Sequence, residues 1–185
     1  MRSMQQLAAD HDHILEVLRT LDRVLHDADR TRTVPSEFLR TLVTFSQSFV
    51  DLCHHGKEEG CLFPCLERCG MPREGGPIGI MLQEHEKGRA LVREIADRLE
   101  RYEAGRARVD EVLAPCREYV DLLQHHIEKE NTILFPMGEH CMGDDDDDAT
   151  VTCFEEREAE LGPGARERLV QLGQALSAAT SEPAS

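Results

Sequence analysis

The chain has 185 residues, a formal net charge of −15, no Trp, two Tyr and seven Cys. That acidity argues against nucleic acid and anionic membrane surfaces as partners, because both demand basic patches; no run of about 18 apolar residues is present to cross a bilayer. One domain with a core of Leu, Val, Ile and Ala is expected, and an N-terminus that turns amphipathic and charged at once, without an apolar secretion signal, suits the cytoplasm.

Helical periodicity runs from about Ser3 to Ala28, with Leu7, Ile14, Leu18, Leu21 and Leu25 as an apolar stripe and "DHDHIL" around His11. Thr33 or Ser36 can cap the next helix and Pro35 suits a first helical turn. That second helix is predicted over 36–68, carries "HHGKEEGCLFP" (His54 to Pro64) and stops at "CGMPREGGP". A third covers 78–103 with "EHEKGR" around His85, and a fourth covers 109–139 with "HHIEKENTILFP" (His125 to Pro136). Long segments with short connections predict an all-α, antiparallel up-down-up-down four-helix bundle over 1–140. Pro64, Pro115 and Pro136 fall inside the helical pattern and predict local kinks or ends. Residues 141–153, with five consecutive Asp, read as an acidic solvated linker. A C-terminal helical extension and tail follows over 154–185, broken at Gly162–Gly164 and frayed at "TSEPAS".

The chain repeats itself. His54 and His126 stand ten residues before Pro64 and Pro136, and Glu58 and Glu130 six residues before them. "DHDHILEVLRTLDRVL" matches "EHEKGRALVREIADRL" at an offset of 74, and His54 matches His126 at an offset of 72. Two near-equal offsets indicate a duplicated helix pair with pseudo-twofold symmetry. Each half then supplies one lone His and one His-x-x-x-Glu, whose members share a helix face.

Helical rise sets the heights. About 17 residues follow His11 in the first helix and about 18 precede His54 in the second, roughly 26 and 27 Å, so antiparallel packing brings the two level. The same sum levels His85 with His126. Leu18, Leu62, Val92 and Leu134 lie at helical spacing from the polar residues, which places His11, His54, Glu58, His85, His126 and Glu130 on the core face. Buried carboxylates cost several kcal/mol each unless paired or bound to a cation. Two divalent metal ions bridged by Glu58 and Glu130, with imidazoles as terminal ligands, resolve that cost. His13, His55 and His125 are displaced by about 100° or 200° around the helix; they read as outer or surface residues, one of them a candidate fifth imidazole. Glu59, Glu84 and Glu86 read as outer carboxylates, and His26 and His140 as solvated. The odd Cys count and absent signal argue against a disulfide framework, so Cys61, Cys65 and Cys69 read as reduced, core-facing residues.

With these motifs the sequence resembles the hemerythrin-like (HHE cation-binding) family over roughly residues 4–140. The resemblance implies a four-helix bundle holding a non-haem di-iron centre, oxo- or hydroxo-bridged, with His11, His54, Glu58, His85, His126 and Glu130 as ligands; zinc or manganese can fill the same donors. Oxygen-carrying members have five His, and four are in place here. Ala165 and Arg166 stand where some relatives carry a His after a Gly-x-Gly turn, so the tail supplies no ligand. The function implied is binding of oxygen, with nitric oxide and peroxide as further ligands, for sensing, storage or scavenging. A di-iron peroxidase, oxidase or nitric oxide reductase with an unknown redox partner is the enzymatic alternative, and iron storage, donation or sensing a third.

Overall fold

The computed structural model describes residues 1–179; the "TSEPAS" end, 180–185, lies outside the described residues. Among the described residues there are six helices and no strand: α1 (Arg2–Thr31), α2 (36–68), α3 (Pro77–Glu103), α4 (109–141), α5 (Asp144–Glu160) and α6 (Ala165–Ala178). The all-α bundle expected from the periodicity is therefore present. Ion pairs report how the helices lie. Asp29 and Arg32 near the end of α1 meet Arg117 and Asp110 near the start of α4, while the Met1 amino group meets Glu139 near the end of α4. Arg40 near the start of α2 meets Glu103 at the end of α3, and Asp51 meets Arg89 at 2.7 Å.

The apolar faces form two clusters with a polar layer between them. One holds Ile14, Leu18, Leu21, Phe45, Phe49, Leu91, Val92, Leu123 and Ile127. The other holds Met4, Leu7, Leu62, Phe63, Met81, Leu134, Phe135 and Phe154. Each bundle helix thus passes from one dry cluster to the other, and the His/Glu residues sit at the crossing.

The prolines do not end their helices. In α2 an α-helical start (Ser36–Phe45) gives way to π-helical Ser46–His55 and Glu58–Leu62 before α-helical Phe63–Arg68. In α4 the α-helical Val109–Lys129 is followed by π-helical Glu130–Leu134 and α-helical Phe135–Cys141. Just before each proline, the Phe63 N–H bonds the Glu58 carbonyl and the Phe135 N–H bonds the Glu130 carbonyl, five residues back. A proline cannot donate to the carbonyl four residues back, and one inserted residue re-phases the ladder without breaking the helix. Pro64 and Pro136 then fall in the first turn of a fresh α-helical stretch, where a missing N–H costs nothing. Helix α4 also continues through Pro115, close enough to its start that little of the ladder is lost.

Two expectations are corrected. The stretch 141–153 is not a linker, because α5 starts at Asp144. Asp146 accepts the Gly143 N–H at 3.1 Å and caps α5; Asp147 accepts the Arg2 and Ser3 backbone N–H groups at 2.9 and 3.0 Å and the Ser3 hydroxyl at 2.5 Å. Carboxylates in a first helical turn complement the helix dipole, and here one of them also satisfies the open N-terminus of α1. Second, Cys61 is not a reduced thiol: it forms a disulfide with Cys153 of α5. The fold brings their Cα atoms to 5.9 Å, inside the window for a bridge. Cys53, Cys65, Cys69, Cys116 and Cys141 are free.

Candidate metal centre

The six residues singled out by the duplication meet in one buried layer. The Nε2 atoms of His11 and His54 lie 3.1 Å apart, and those of His85 and His126 3.2 Å apart. Glu130 Oε2 reaches His11 Nε2 at 3.0 Å and His126 Nε2 at 3.4 Å. Glu58 Oε1 lies 3.6 Å from His54 Nε2, and its Oε2 3.4 Å from His85 Nε2. Each carboxylate therefore spans one imidazole from either half of the chain. Within this layer the potential metal donors fall into two overlapping groups, His11, His54, Glu58 and Glu130 in one and His55, Glu58, His85 and His126 in the other.

The outward Nδ1 atoms are backed in a pattern that repeats with the duplication. The acid before each lone His serves the other helix of its own half: Asp10 lies 3.6 Å from His54 Nδ1, and Glu84 3.0 Å from His126 Nδ1. The residue after each layer Glu serves the lone His of the opposite half: Asn131 Oδ1 meets His11 Nδ1 at 2.9 Å, and Glu59 meets His85 Nδ1 at 2.7 Å. Such partners aim the ring and fix which nitrogen faces inward. Even the cations repeat, since Lys57 pairs with Asp10 at 2.6 Å and Lys129 pairs with Glu84. Below the layer Phe135 stacks on His11 and Phe63 on His85, with ring centroids 5.4 and 5.8 Å apart. The recurring Leu-Phe-Pro is the apolar floor of the layer.

His55 joins them. It is buried, stacks on His85 with centroids 3.7 Å apart, and neither ring nitrogen has a hydrogen-bond partner. By contrast His125 is exposed and bonds the Asp121 carbonyl, and His13 is half-buried beside Phe49. An α-helical wheel turns His55 away from His54. The π-helical bonding of Ser46–His55 widens the turn, so the angle between neighbours shrinks and both rings reach the interior. At the matching place in the second half stands Ile127, so the fifth imidazole breaks the pseudo-symmetry.

The layer is electrostatically incomplete. All four oxygens of Glu58 and Glu130 are buried without a hydrogen-bond partner. Burial, then the Glu130 charge, holds Glu58 well above the usual carboxylate range. Burial also opposes ionisation of Glu130, but the His126 and His11 imidazoles outweigh it and hold Glu130 low. Burial pushes His54 down to about 4 and depresses His55 and His85. Buried donor atoms without hydrogen-bond partners are what a cation would satisfy, and its binding would displace the Glu58 proton; imidazole with carboxylate suits iron, zinc or manganese. The residues present fit a metal pair.

The C-terminal extension reaches this layer through charge. Arg166 of α6 pairs with Asp10 at 2.5 Å, and Glu158 of α5 takes Lys57 and Arg166, each at 3.0 Å. Burial raises the cost of the Asp10 charge, but His54 and Lys57 outweigh it and hold the carboxyl well below its usual range. Removing one partner of a buried pair costs about 3–5 kcal/mol. Asp10→Asn is therefore expected to lower stability to chemical denaturation by about that much, and Lys57→Met added to it should recover part of the loss. A neutral Asp10→Asn would mean that the network carries no net energy. The acid before each lone His was legible as a repeat feature; Asn131, Glu158 and Arg166 carried no sequence signal of their role.

A cavity of about 220 Å³ opens beside His55, with Asp51, Arg89, Tyr119 and Val50 among its walls. Arg89 closes its rim by bonding Asp51, Glu59 and Glu86, each at 2.7 Å. No helix among the described residues is long and apolar enough to cross a membrane. The chain matches the family of the hemerythrin HHE cation-binding domain over residues 3–138. No curated protein and no solved structure matches it significantly.

Proposed function

Because the chain belongs to the hemerythrin HHE cation-binding family, we propose that its polar layer holds two iron ions and binds a small ligand, oxygen first, with nitric oxide and peroxide as further ligands. The single observation that carries this reading is the pair of donor groups that share Glu58 in a dry layer of unpartnered carboxylate oxygens. Two iron ions held there would supply reversible binding of a diatomic molecule. The proposed ligands are His11 and His54 on one side, His55, His85 and His126 on the other, and Glu58 and Glu130 between.

What the chain itself contributes is selection and protection. The cavity beside His55 has room for a ligand of a few atoms next to the layer. Leu62, Phe63, Leu134 and Phe135 keep water from the opposite face. Glu59, Glu84 and Asn131 hydrogen-bond the outward nitrogens of His85, His126 and His11, with Asp10 near that of His54, and so aim the rings inward. A peroxidase or oxidase would be favoured by a thiol reductant, but Cys61 is bound to Cys153, and Cys65 and Cys69 stand at the end of α2, away from the layer. A binding role is therefore favoured over a peroxidase, oxidase or nitric oxide reductase.

The test is spectroscopic. Protein loaded with Fe(II) without oxygen is exposed to oxygen and then returned to vacuum. A near-ultraviolet or visible charge-transfer band that appears and disappears reversibly is expected. A band that persists while oxygen is consumed would transfer the reading to an oxidase or peroxidase, and no band would remove the di-iron reading; a zinc centre is colourless. His55→Ala should weaken one of the two ions by more than the roughly 10- to 100-fold typical of outer partners, whereas His125→Ala should not. Equal titrations for both variants would take His55 out of the ligand set.

A further inference from the structure

At the far end of α2 a second set of metal donors comes together, and nothing in the reading above uses it. Cys65 and Cys69 lie one helical turn apart where α2 ends, Cys141 closes α4, and Asp146 sits in the first turn of α5. The Sγ atoms of Cys65 and Cys69 and a carboxylate oxygen of Asp146 all lie within 4.8 Å of one another. The Cys141 thiol is near enough to Cys69 to act on its ionisation, after burial. We propose that Cys65, Cys69 and Asp146 form a separate binding site for one thiophilic divalent cation of the zinc class, with the neighbouring Cys141 at the end of α4 as its fourth donor.

The donor chemistry selects the ion. Thiolates prefer zinc and its soft neighbours, while calcium and magnesium demand oxygen. Zinc–sulfur bonds of about 2.3 Å in a tetrahedron need sulfur atoms about 3.8 Å apart, so donors already within 4.8 Å close on an ion with small side-chain shifts. Asp146 has the capacity as well, since Gly143 N–H occupies only its Oδ2. Burial raises the Cys65 and Cys69 thiols, so both carry protons without the ion, and binding would release one proton per ligating thiol to solvent.

The site is distinct from the His/Glu layer. Cys69 follows Glu58 by eleven residues, roughly 16 Å along a helix, and no imidazole belongs to the cluster. Cys65 is wholly buried, Cys69 half-buried and Cys141 exposed, so an ion can enter from solvent and finish inside. The alternative use of two adjacent thiols is a disulfide. Cys61 and Cys153 make one in this same molecule, while Cys69 and Cys141 remain free. A bound ion would tie the end of α2, the end of α4 and the start of α5 to one point. It would thereby hold in place the extension whose Glu158 and Arg166 reach Asp10.

Cobalt(II) titration of the full chain, prepared without oxygen or thiol reductant, tests this. Thiolate ligation gives an intense near-ultraviolet sulfur-to-cobalt band, and His and Glu donors give none, so the band reports this site whatever the fate of the other centre. The saturated band should correspond to one thiolate-bound cobalt per chain, whatever cobalt the His/Glu layer takes up, and be displaced by zinc. Cys69→Ser, Cys141→Ser and Asp146→Asn should each weaken cobalt at least tenfold, with helicity checked by circular dichroism; Asn at 146 retains an acceptor for the cap, and Cys141 is exposed. Cys116→Ser, remote and buried, should leave the titration unchanged. Absence of a sulfur band, a band that survives Cys69→Ser and Cys141→Ser, or a Cys69–Cys141 disulfide in the anaerobic protein would each overturn the proposal.

Discussion

Glu58→Met is expected to stabilise the metal-free protein and to abolish the gain in stability that metal provides. Glu58 belongs to both donor groups, is fully buried, and neither of its oxygens has a hydrogen-bond partner. Without a cation it is a desolvated carboxyl beside Glu130 that keeps its proton and has no hydrogen-bond partner; an unsatisfied buried polar group costs about 1–3 kcal/mol, which a volume-matched apolar side chain removes. With iron present the sign reverses. A ligand that binds only the folded state stabilises by about 4 kcal/mol at 1,000 times its dissociation constant, and the variant forfeits that gain by losing the shared bridge. Thermal unfolding of wild type and variant, each with and without a chelator, gives the four numbers required. A metal-free variant less stable than metal-free wild type would show that Glu58 is part of a satisfied core, and the proposed centre would lose its strongest physical argument.

How much of this was legible in the sequence follows from which features are periodic. The heights of His11, His54, His85 and His126 came from counting residues along straight helices, and they are correct because one inserted residue moves a donor by only about 1.5 Å. The facing of His55 was not legible, because an α-helical wheel assumes a fixed angle per residue and Ser46–His55 does not obey it. Pro64 and Pro136 were the visible symptom: a proline retained inside a helical pattern announces a change in the ladder without saying which. Identical prolines at identical distance from Glu58 and Glu130 pointed to a shared device, and the shared device is a π-turn. The five Asp mislead a sequence reading for a different reason. A charge run is normally solvated, and only the three-dimensional meeting of α5 with the N-terminus of α1 gives Asp147 backbone donors to accept. The Cys61–Cys153 bridge spans 92 residues and joins the bundle to the extension, a contact that no local pattern encodes.

In the absence of metal, stability should fall as the pH drops from 7 toward 5. Burial depresses His54 to about 4 and depresses His55 and His85 as well, while the unfolded imidazoles titrate near 6.5. Between those values the unfolded chain binds more protons than the folded one, and stability then rises with pH and is lost on acidification. For His54 alone the difference amounts to roughly 3 kcal/mol, complete only near its folded value. Glu58 works in the other direction. Its raised folded value means that the folded chain keeps a proton the unfolded chain releases above about 4.5, so its contribution is regained as pH falls. Three depressed imidazoles, His54, His55 and His85, stand against the one raised carboxyl, so the imidazoles set the sign. Urea midpoints measured at several pH values in chelator and about 0.15 M salt, enough to screen the surface charge, should therefore decline steadily below pH 6.5. His54→Gln should flatten that decline, because Gln has no proton to gain. A midpoint that holds steady or climbs from pH 7 to 5 would mean that the imidazoles are charged inside the folded layer, and neutral nitrogens would then not be waiting for a metal.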